Sequence, residues 1–136
     1  MKETENEPEL VINTKSGAVF DVVADEHFIY SAAQNGSVQV WDRDTGLLRR
    51  VLTGHGEQVL ALAQTPNHII SSSSDGLLKV WAKNNFYCTQ TIDLGNTDQL
   101  TVLAGDDSQP IFFSCYANFV RIWALGEEYE SDEQIY

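Results

Sequence analysis

Three tryptophans on one period constrain what this chain can fold into. Trp41, Trp81 and Trp123 are the only tryptophans among 136 residues, and they stand 40 and 42 residues apart. Each closes a short run in which alternate side chains are apolar: Val38-Gln39-Val40-Trp41, Leu78-Lys79-Val80-Trp81 and Val120-Arg121-Ile122-Trp123. Alternation is the period of a β-strand whose two faces see different surroundings. Asn35-Gly36 and Asp75-Gly76 precede the first two runs, and such pairs favour tight hairpin turns. A fixed period of this length marks one supersecondary unit repeated and stacked on itself.

The middle unit is the most complete. It opens with Gly54-His55-Gly56 and continues through a run with Val59, Ala61 and Ala63. A second apolar run, Ile69-Ile70, ends in Ser71-Ser72-Ser73-Ser74, and Asp75-Gly76 leads into the strand that ends at Trp81-Ala82. This stretch resembles a WD40 repeat, with Trp81-Ala82 in place of the Trp-Asp pair that Trp41-Asp42 retains. The resemblance covers about residues 10–124 and implies an all-β chain of WD40-type β-propeller blades, three four-stranded antiparallel units forming a partial propeller.

On that reading the first blade has strands at 18–24, 28–33, 37–42 and 47–52, and the second at 58–64, 68–74, 77–82 and 86–92. The third has strands at 100–104, 111–116 and 119–124, with no clear fourth strand beyond a faintly strand-like 134–136. Residues 10–13 read as a short outer strand set before the first blade, and the resemblance implies that such a strand completes the last blade. The chain then divides into an acidic flexible lead (1–9), blades at 10–53, 54–94 and 95–124, and an acidic tail (125–136). Three twisted sheets do not readily surround an axis, and an open stack leaves apolar end faces uncapped. Three arrangements remain open: part of a larger propeller, closure by association (for example two chains making six blades), or a self-sufficient three-blade unit.

Charge narrows the range of partners. Glu3, Glu5, Glu7, Glu9, Glu127, Glu128, Glu130, Asp132 and Glu133 are nine of the 20 acids, and the net charge is −12. Between the tails eleven acids face seven bases, so the imbalance belongs mainly to solvated ends. Nucleic-acid binding needs clustered Lys and Arg to displace phosphate counterions, and an anionic membrane needs the same, so neither partner is expected. No apolar run reaches membrane-spanning length. Cys88 and Cys115 fall within expected strands without metal-ligand spacing and read as buried thiols, which suits a cytoplasmic or nuclear protein. His27 and His68 read as surface loop residues. Arg49-Arg50 is followed by Val51 inside an outer strand and reads as an ordinary strand pair. Neither a metal nor a cofactor is expected.

His55, Ser71, Asp75 and Trp81 could be taken for a hydrolase triad with an aromatic neighbour. The WD40 resemblance implies instead a structural tetrad, in which the indole N–H, a hydroxyl, an imidazole and a carboxylate bond in series. The donor and acceptor inventory of these groups permits such a chain, and a connected buried network rigidifies what surrounds it. Ser71 and Ser73 share a strand face, so either could be the serine. In the first blade Ser31 and Asn35 occupy the Ser and Asp positions, with Lys15 in place of His. In the third, Ser114 and Asn118 each fall one residue out of register, Ala117 and Asn96 standing at the Asp and His positions. The middle blade is therefore expected to be the most rigid and the third the least. WD40 propellers are interaction platforms, so the resemblance implies a non-catalytic scaffold that binds other proteins or peptides at one rim. Gln34, Gln58, Ser74, Gln99 and Tyr116 are the candidate contacts. The alternative is a WD40 segment of a larger enzyme or ubiquitin-ligase substrate receptor whose activity lies elsewhere.

Overall fold

The computed structural model describes residues 6–95, 100 and 102–126. Gln99, Asn96 and the tail from 127, including 134–136, lie outside them. The described residues form eleven strands and no helix. The first sheet is β1 (Val19–Ala24), β2 (Phe28–Ala33), β3 (Val38–Asp42) and β4 (Leu48–Leu52). The second is β5 (Val59–Gln64), β6 (His68–Ser73), β7 (Leu77–Ala82) and β8 (Cys88–Asp93), and the third is β9 (Val102–Gly105), β10 (Ile111–Cys115) and β11 (Val120–Ala124). Within each sheet the strands pair antiparallel in chain order. The third sheet has three strands among the described residues, where four were expected of a blade.

The repeat extends to irregularities. The first pairing shifts between Val19 and Asp21 in one sheet and between Val59 and Ala61 in the next, while the last pairing shifts at Val40/Trp41 and again at Val80/Trp81. These bulges fall 40 residues apart, as the tryptophans do. Bulges add local twist, so both blades are twisted at the same places. The turns before the tryptophan strands are built alike: Gly36 and Gly76 have φ of +91° and +86°, a region where a side chain is strained.

Blades stack face to face through two apolar clusters. Tyr30, Ala32, Val38, Val40 and Leu52 of the first sheet meet Val59, Leu62, Ile69 and Trp81 of the second. On the other side of the second sheet, Ala63, Ile70, Leu78 and Val80 meet Leu103, Phe112 and Leu125, with Trp123 packed alongside. The central strand β6 is consequently buried at every residue. The innermost strands touch in sequence, β1 to β5 and β5 to β9. At the second junction Gly105 lies so close to β5 that a Cβ there would stand 1.8 Å from the Gln64 carbonyl oxygen.

Polar groups join the first two blades. The Leu62 N–H, beside the β5 bulge, donates to Asp21 Oδ2 at 2.9 Å. Asp25 Oδ2 receives the Tyr30 hydroxyl at 2.8 Å and the Lys83 ammonium at 3.0 Å, and its other oxygen takes the N–H groups of His27 and Phe28. Burial acts to raise the Asp25 pKa, but these four donors outweigh it and bring it down to about 2.

Four local expectations are corrected. Residues 10–13 form no strand. Leu10 and Ile12 instead pass beside Gly46, which places them where Arg50 and Leu52 lie one repeat later, next to Phe86 and Trp81. The segment thus follows the path of an outer strand but pairs with none of the described sheets. Cys88 is exposed, because β8 is the outermost strand and nearly all its residues face solvent. Cys115 is half-buried. His68 is buried, since it opens the fully covered β6, whereas His27 is exposed. Phe86 is not in a strand: it has φ of +63°, in the turn position that Gly46 occupies one repeat earlier. Edge-to-face contact with Phe28 at 5.6 Å and the Arg50 guanidinium over its ring hold it there.

Candidate functional site

In all three blades the strand-ending tryptophan donates its indole N–H to a serine on the second strand. Trp41 reaches Ser31 Oγ, Trp81 reaches Ser71 Oγ and Trp123 reaches Ser114 Oγ, each at 2.9 Å. The pairing follows from register: Ile29, Ile69 and Phe112 sit opposite the tryptophans, and each serine is two residues further on. An indole has only a donor to satisfy, and a hydroxyl can accept it while bonding a second group. The blades differ in that second group.

In the middle blade it is His55, whose Nε2 lies 2.8 Å from Ser71 Oγ. Ser71 is wholly buried and the His55 side chain nearly so. With the proton on Nδ1, the Ser71 hydroxyl donates to Nε2 while accepting from Trp81. The fourth leg is long: His55 Nδ1 stands 4.0 Å from Asp75 Oδ1 and makes no hydrogen bond. Asp75 instead accepts the Leu77 N–H at 3.0 Å and the Gly56 N–H at 3.3 Å, fastening its own turn to the loop that carries His55. Burial acts to raise the Asp75 pKa, but the Ser73 hydroxyl and the Leu77 and Gly56 N–H groups outweigh it and lower it. His55 moves down from its ordinary value: burial disfavours the imidazolium, and Lys79 adds to this against the attraction of Asp75. A neutral ring is what the bond with Ser71 requires. Ser73 is used elsewhere, at the Asp75 N–H and the Glu57 carbonyl.

In the third blade the second partner is Tyr116, whose hydroxyl lies 2.9 Å from Ser114 Oγ. Here serine and tryptophan are nine residues apart instead of ten, because the turn is one residue shorter. Arg121 donates to the same hydroxyl and lies over both the Tyr116 and Phe119 rings, which stack at 4.5 Å. In the first blade Asn35 caps its turn by accepting the Ser37 N–H and hydroxyl, and the nearby Ser16 hydroxyl donates to Gln39.

The candidate rim residues are unequal. Gln34 and Ser74 are exposed at equivalent places, their N–H groups bonded to the carbonyls of Ala18 and Gln58. The Gln34 amide oxygen also accepts the Ala18 N–H. Gln58 is half-buried, and Tyr116 is buried with its hydroxyl engaged. Gln99 lies outside the described residues. One cleft of about 300 Å³ opens at the opposite rim, lined by Asp25, Glu26, Gln64, Thr65 and Asp107 among others. Another lies between the outer strands beside Arg50, Trp81 and Phe86. Neither is lined by His55, Ser71 or Asp75. Among the described residues no group of three or more His, Cys, Asp or Glu is placed to hold a metal ion, and no helix is long and apolar enough to cross a membrane.

Antiparallel sheets stacked about their first strands, two of four strands and one of three among the described residues, each tied by an indole–serine bond, define this as a chain of β-propeller blades. The family described as WD domain, G-beta repeat, matches residues 7–42 and 46–82, and the chain belongs to the WD40 repeat family. It is similar to the crystal structure of RRP9 WD40 repeats, with a TM-score of 0.76 at 21% identity, over 85% of this chain and 38% of that one. Autophagy-related protein 16 of Arabidopsis thaliana is 27% identical over 107 residues, 76% of this chain and 21% of that protein. Polycomb protein EED of Chaetomium thermophilum is 27% identical over 116 residues, 79% of this chain and 20% of that protein. The chain thus spans about a fifth of the length of these curated relatives.

Proposed function

We infer that this chain is a non-catalytic protein–protein interaction scaffold, presenting peptide- or domain-binding loops on rigid blades. The observation that carries this reading is the fate of Ser71. Its hydroxyl is fully buried, receives the Trp81 indole and pairs with His55. A nucleophile needs access to substrate and an oriented base; this serine has the base and no access. The His–Ser–Asp set therefore acts on the fold, holding a turn whose exposed neighbours face outward. Rims carried by rigid sheets are where such proteins place recognition. The net negative charge between the tails favours a neutral or basic partner surface. The alternative, a segment of a larger enzyme or ubiquitin-ligase receptor, draws on the small share of each relative's length that the chain spans; it leaves the role of these blades unchanged.

The test is selection from a displayed peptide library against the immobilised chain. Enriched peptides are expected to lose binding when Gln58 and Ser74 become Arg, and to keep it when Pro66 and Asn67 of the opposite rim become Ala. Peptides insensitive to the first pair would overturn the rim assignment. Labelling of Ser71 by a serine-directed phosphonate would overturn the non-catalytic reading.

A further inference from the structure

The turns that join the first two strands of each blade stand at one rim, and the side chains they carry there are unequally spent. Asp25, Thr65 and Asp106 hold equivalent places, since their N–H groups donate to the carbonyls of Phe28, His68 and Ile111. The two aspartates cap their own turns. Asp25 Oδ1 accepts the His27 and Phe28 N–H groups, and Asp106 Oδ1 accepts those of Ser108 and Gln109. Thr65 makes no such bond. It is 1% exposed, and its hydroxyl has no hydrogen-bond partner among the described residues. A buried hydroxyl left unpaired is costly, so its place in the fold is informative. Thr65 lines the cleft of about 300 Å³ at this rim, a space for one side chain rather than for a large ligand.

The charge around the cleft is acidic. Asp25 and Glu26 of the first blade and Asp107 of the third line it together with Thr65 of the second. The bases beside them are committed. Lys83 lies 3.0 Å from Asp25 Oδ2 and donates to Gln64 Oε1 at 2.8 Å, and Arg43 donates to the Asp25 carbonyl. Asp25 is thereby neutralised. Glu26 and Asp107 are exposed. Glu26 lies 3.6 Å from the His27 ring, and Asp107 makes no ion pair among the described residues. Two carboxylates from different blades therefore share a cleft with an unpartnered hydroxyl, and such a set accepts from a cation. The acids do not converge on a point: among the described residues no three such groups are placed to hold a metal ion. Separated acceptors suit a planar guanidinium, with its five N–H donors, better than a point charge.

We propose that this cleft receives an arginine side chain of a protein partner, its guanidinium shared by Glu26, Asp107 and the Thr65 hydroxyl. Three consecutive blades supply the contacts, so the site exists only when the blades are stacked. The proposal rests on the protein-binding reading above but not on the rim assigned there, which lies at the other end of the strands. One side chain in an open cleft binds too weakly for peptide selection to enrich. It serves as a second attachment that raises the avidity of a partner held elsewhere.

The test is a titration of the isotope-labelled chain with Nα-acetyl-arginine methylamide, followed by amide chemical shifts. Saturable binding with a millimolar Kd is expected, with shifts at Glu26, Thr65 and Asp107 and none at Gln58 and Ser74. The uncharged citrulline counterpart should not bind. Glu26→Gln and Asp107→Asn, at exposed positions, should each weaken the arginine probe about threefold. Thr65→Val keeps the shape and removes the unpaired hydroxyl. It should weaken the probe at least as much while leaving the urea midpoint unchanged or higher, which a merely structural hydroxyl would not do. The Gln58→Arg, Ser74→Arg variant should leave the titration unchanged, so failure of one rim does not carry the other. No saturable shift, or equal binding by the citrulline or lysine counterpart or by spermidine, would overturn the arginine site. Shifts confined to Gln58 and Ser74 would overturn its location. A Thr65→Val chain that binds the probe unchanged would overturn the contact assigned to that hydroxyl.

Discussion

The middle and third blades carry the same motif in different surroundings. The middle blade is enclosed on both sides, and its second strand has no exposed residue. Among the described residues the third is covered on one side only, and β11 alternates between half-buried and exposed. Both tie their tryptophan to a buried serine at the same distance. The indole bond therefore does not distinguish them; what covers the far face does. In a stacked array stability is roughly the sum of each unit and its contacts with neighbours, so position in the stack outranks local sequence. Native-state hydrogen exchange provides the broadest check: the slowest amides should lie in β6, and those of β11 should exchange much faster. Equal protection in the two strands of a single-copy sample would break the comparison.

Gly105→Ala should give the largest loss among single substitutions. The new methyl carbon would fall on the Gln64 carbonyl, which is backbone and cannot rotate away. The third blade must shift off the second and open the cluster of Leu78, Val80, Leu103 and Phe112. Overpacking of this kind costs about 3 kcal/mol, measured as a fall in the urea midpoint. Gly95→Ala, which meets nothing within 4 Å, bears only the strain of its φ of +78°, about 1 kcal/mol. Equal losses at the two glycines would mean that the close approach contributes nothing.

Val80→Ala and Ile122→Ala compare one position in two blades. Val80 is fully buried, and trimming it removes two carbons and leaves a void, about 2 kcal/mol. Ile122 is 70% exposed, and its truncation should stay within about 0.5 kcal/mol in a sample dilute enough to hold single chains. If the Ile122 loss grows with protein concentration, the face is being covered by association.

Ser71→Ala and Ser114→Ala ask what the hydroxyls contribute. Each leaves an indole N–H without its partner. Ser71→Ala also strands His55 Nε2 in a closed site, so it should cost about 2 kcal/mol. In the third blade Trp123 is only half-buried and the Tyr116 hydroxyl keeps Arg121, so about 1 kcal/mol is expected. Equal costs would remove His55 from the account.

The period, the strands and the family were legible because alternation, paired turns and three tryptophans repeat in the linear order. Less legible was anything decided by a neighbouring blade. Ser71 and Ser73 alternate onto one face, and only the register of Ile69 against Trp81 shows which hydroxyl meets the indole. The Tyr116–Ser114 bond depends on a turn one residue shorter, for which the signal was the nine-residue spacing from Ser114 to Trp123. Residues 10–13 have a strand's composition, but a strand exists only beside a partner, and none of the described sheets offers one there. The burial of His68 and the exposure of Cys88 likewise follow from strand position, inner or outer, which composition does not carry.

The smallest effect is a pH dependence specific to the middle blade. The His55 pKa lies below its ordinary 6.5, chiefly because burial disfavours the charged ring. The unfolded chain therefore binds a proton more readily than the folded one, and stability falls as pH drops through about 6.5, levelling once the folded form is protonated too. Above 6.5 the ring is neutral in both states and the contribution is complete. His55→Gln should flatten this slope at the cost of a lower plateau near neutral pH. Asp25, held to about 2, acts lower on the scale: its contribution is present above 3.8 and is lost as pH falls toward 2. Urea midpoints between pH 7.5 and 5.5 isolate His55 from it. A slope unchanged in His55→Gln would show that the ring bonded to Ser71 is not the group that titrates, and His55 would no longer set the middle blade apart from the third in its response to pH.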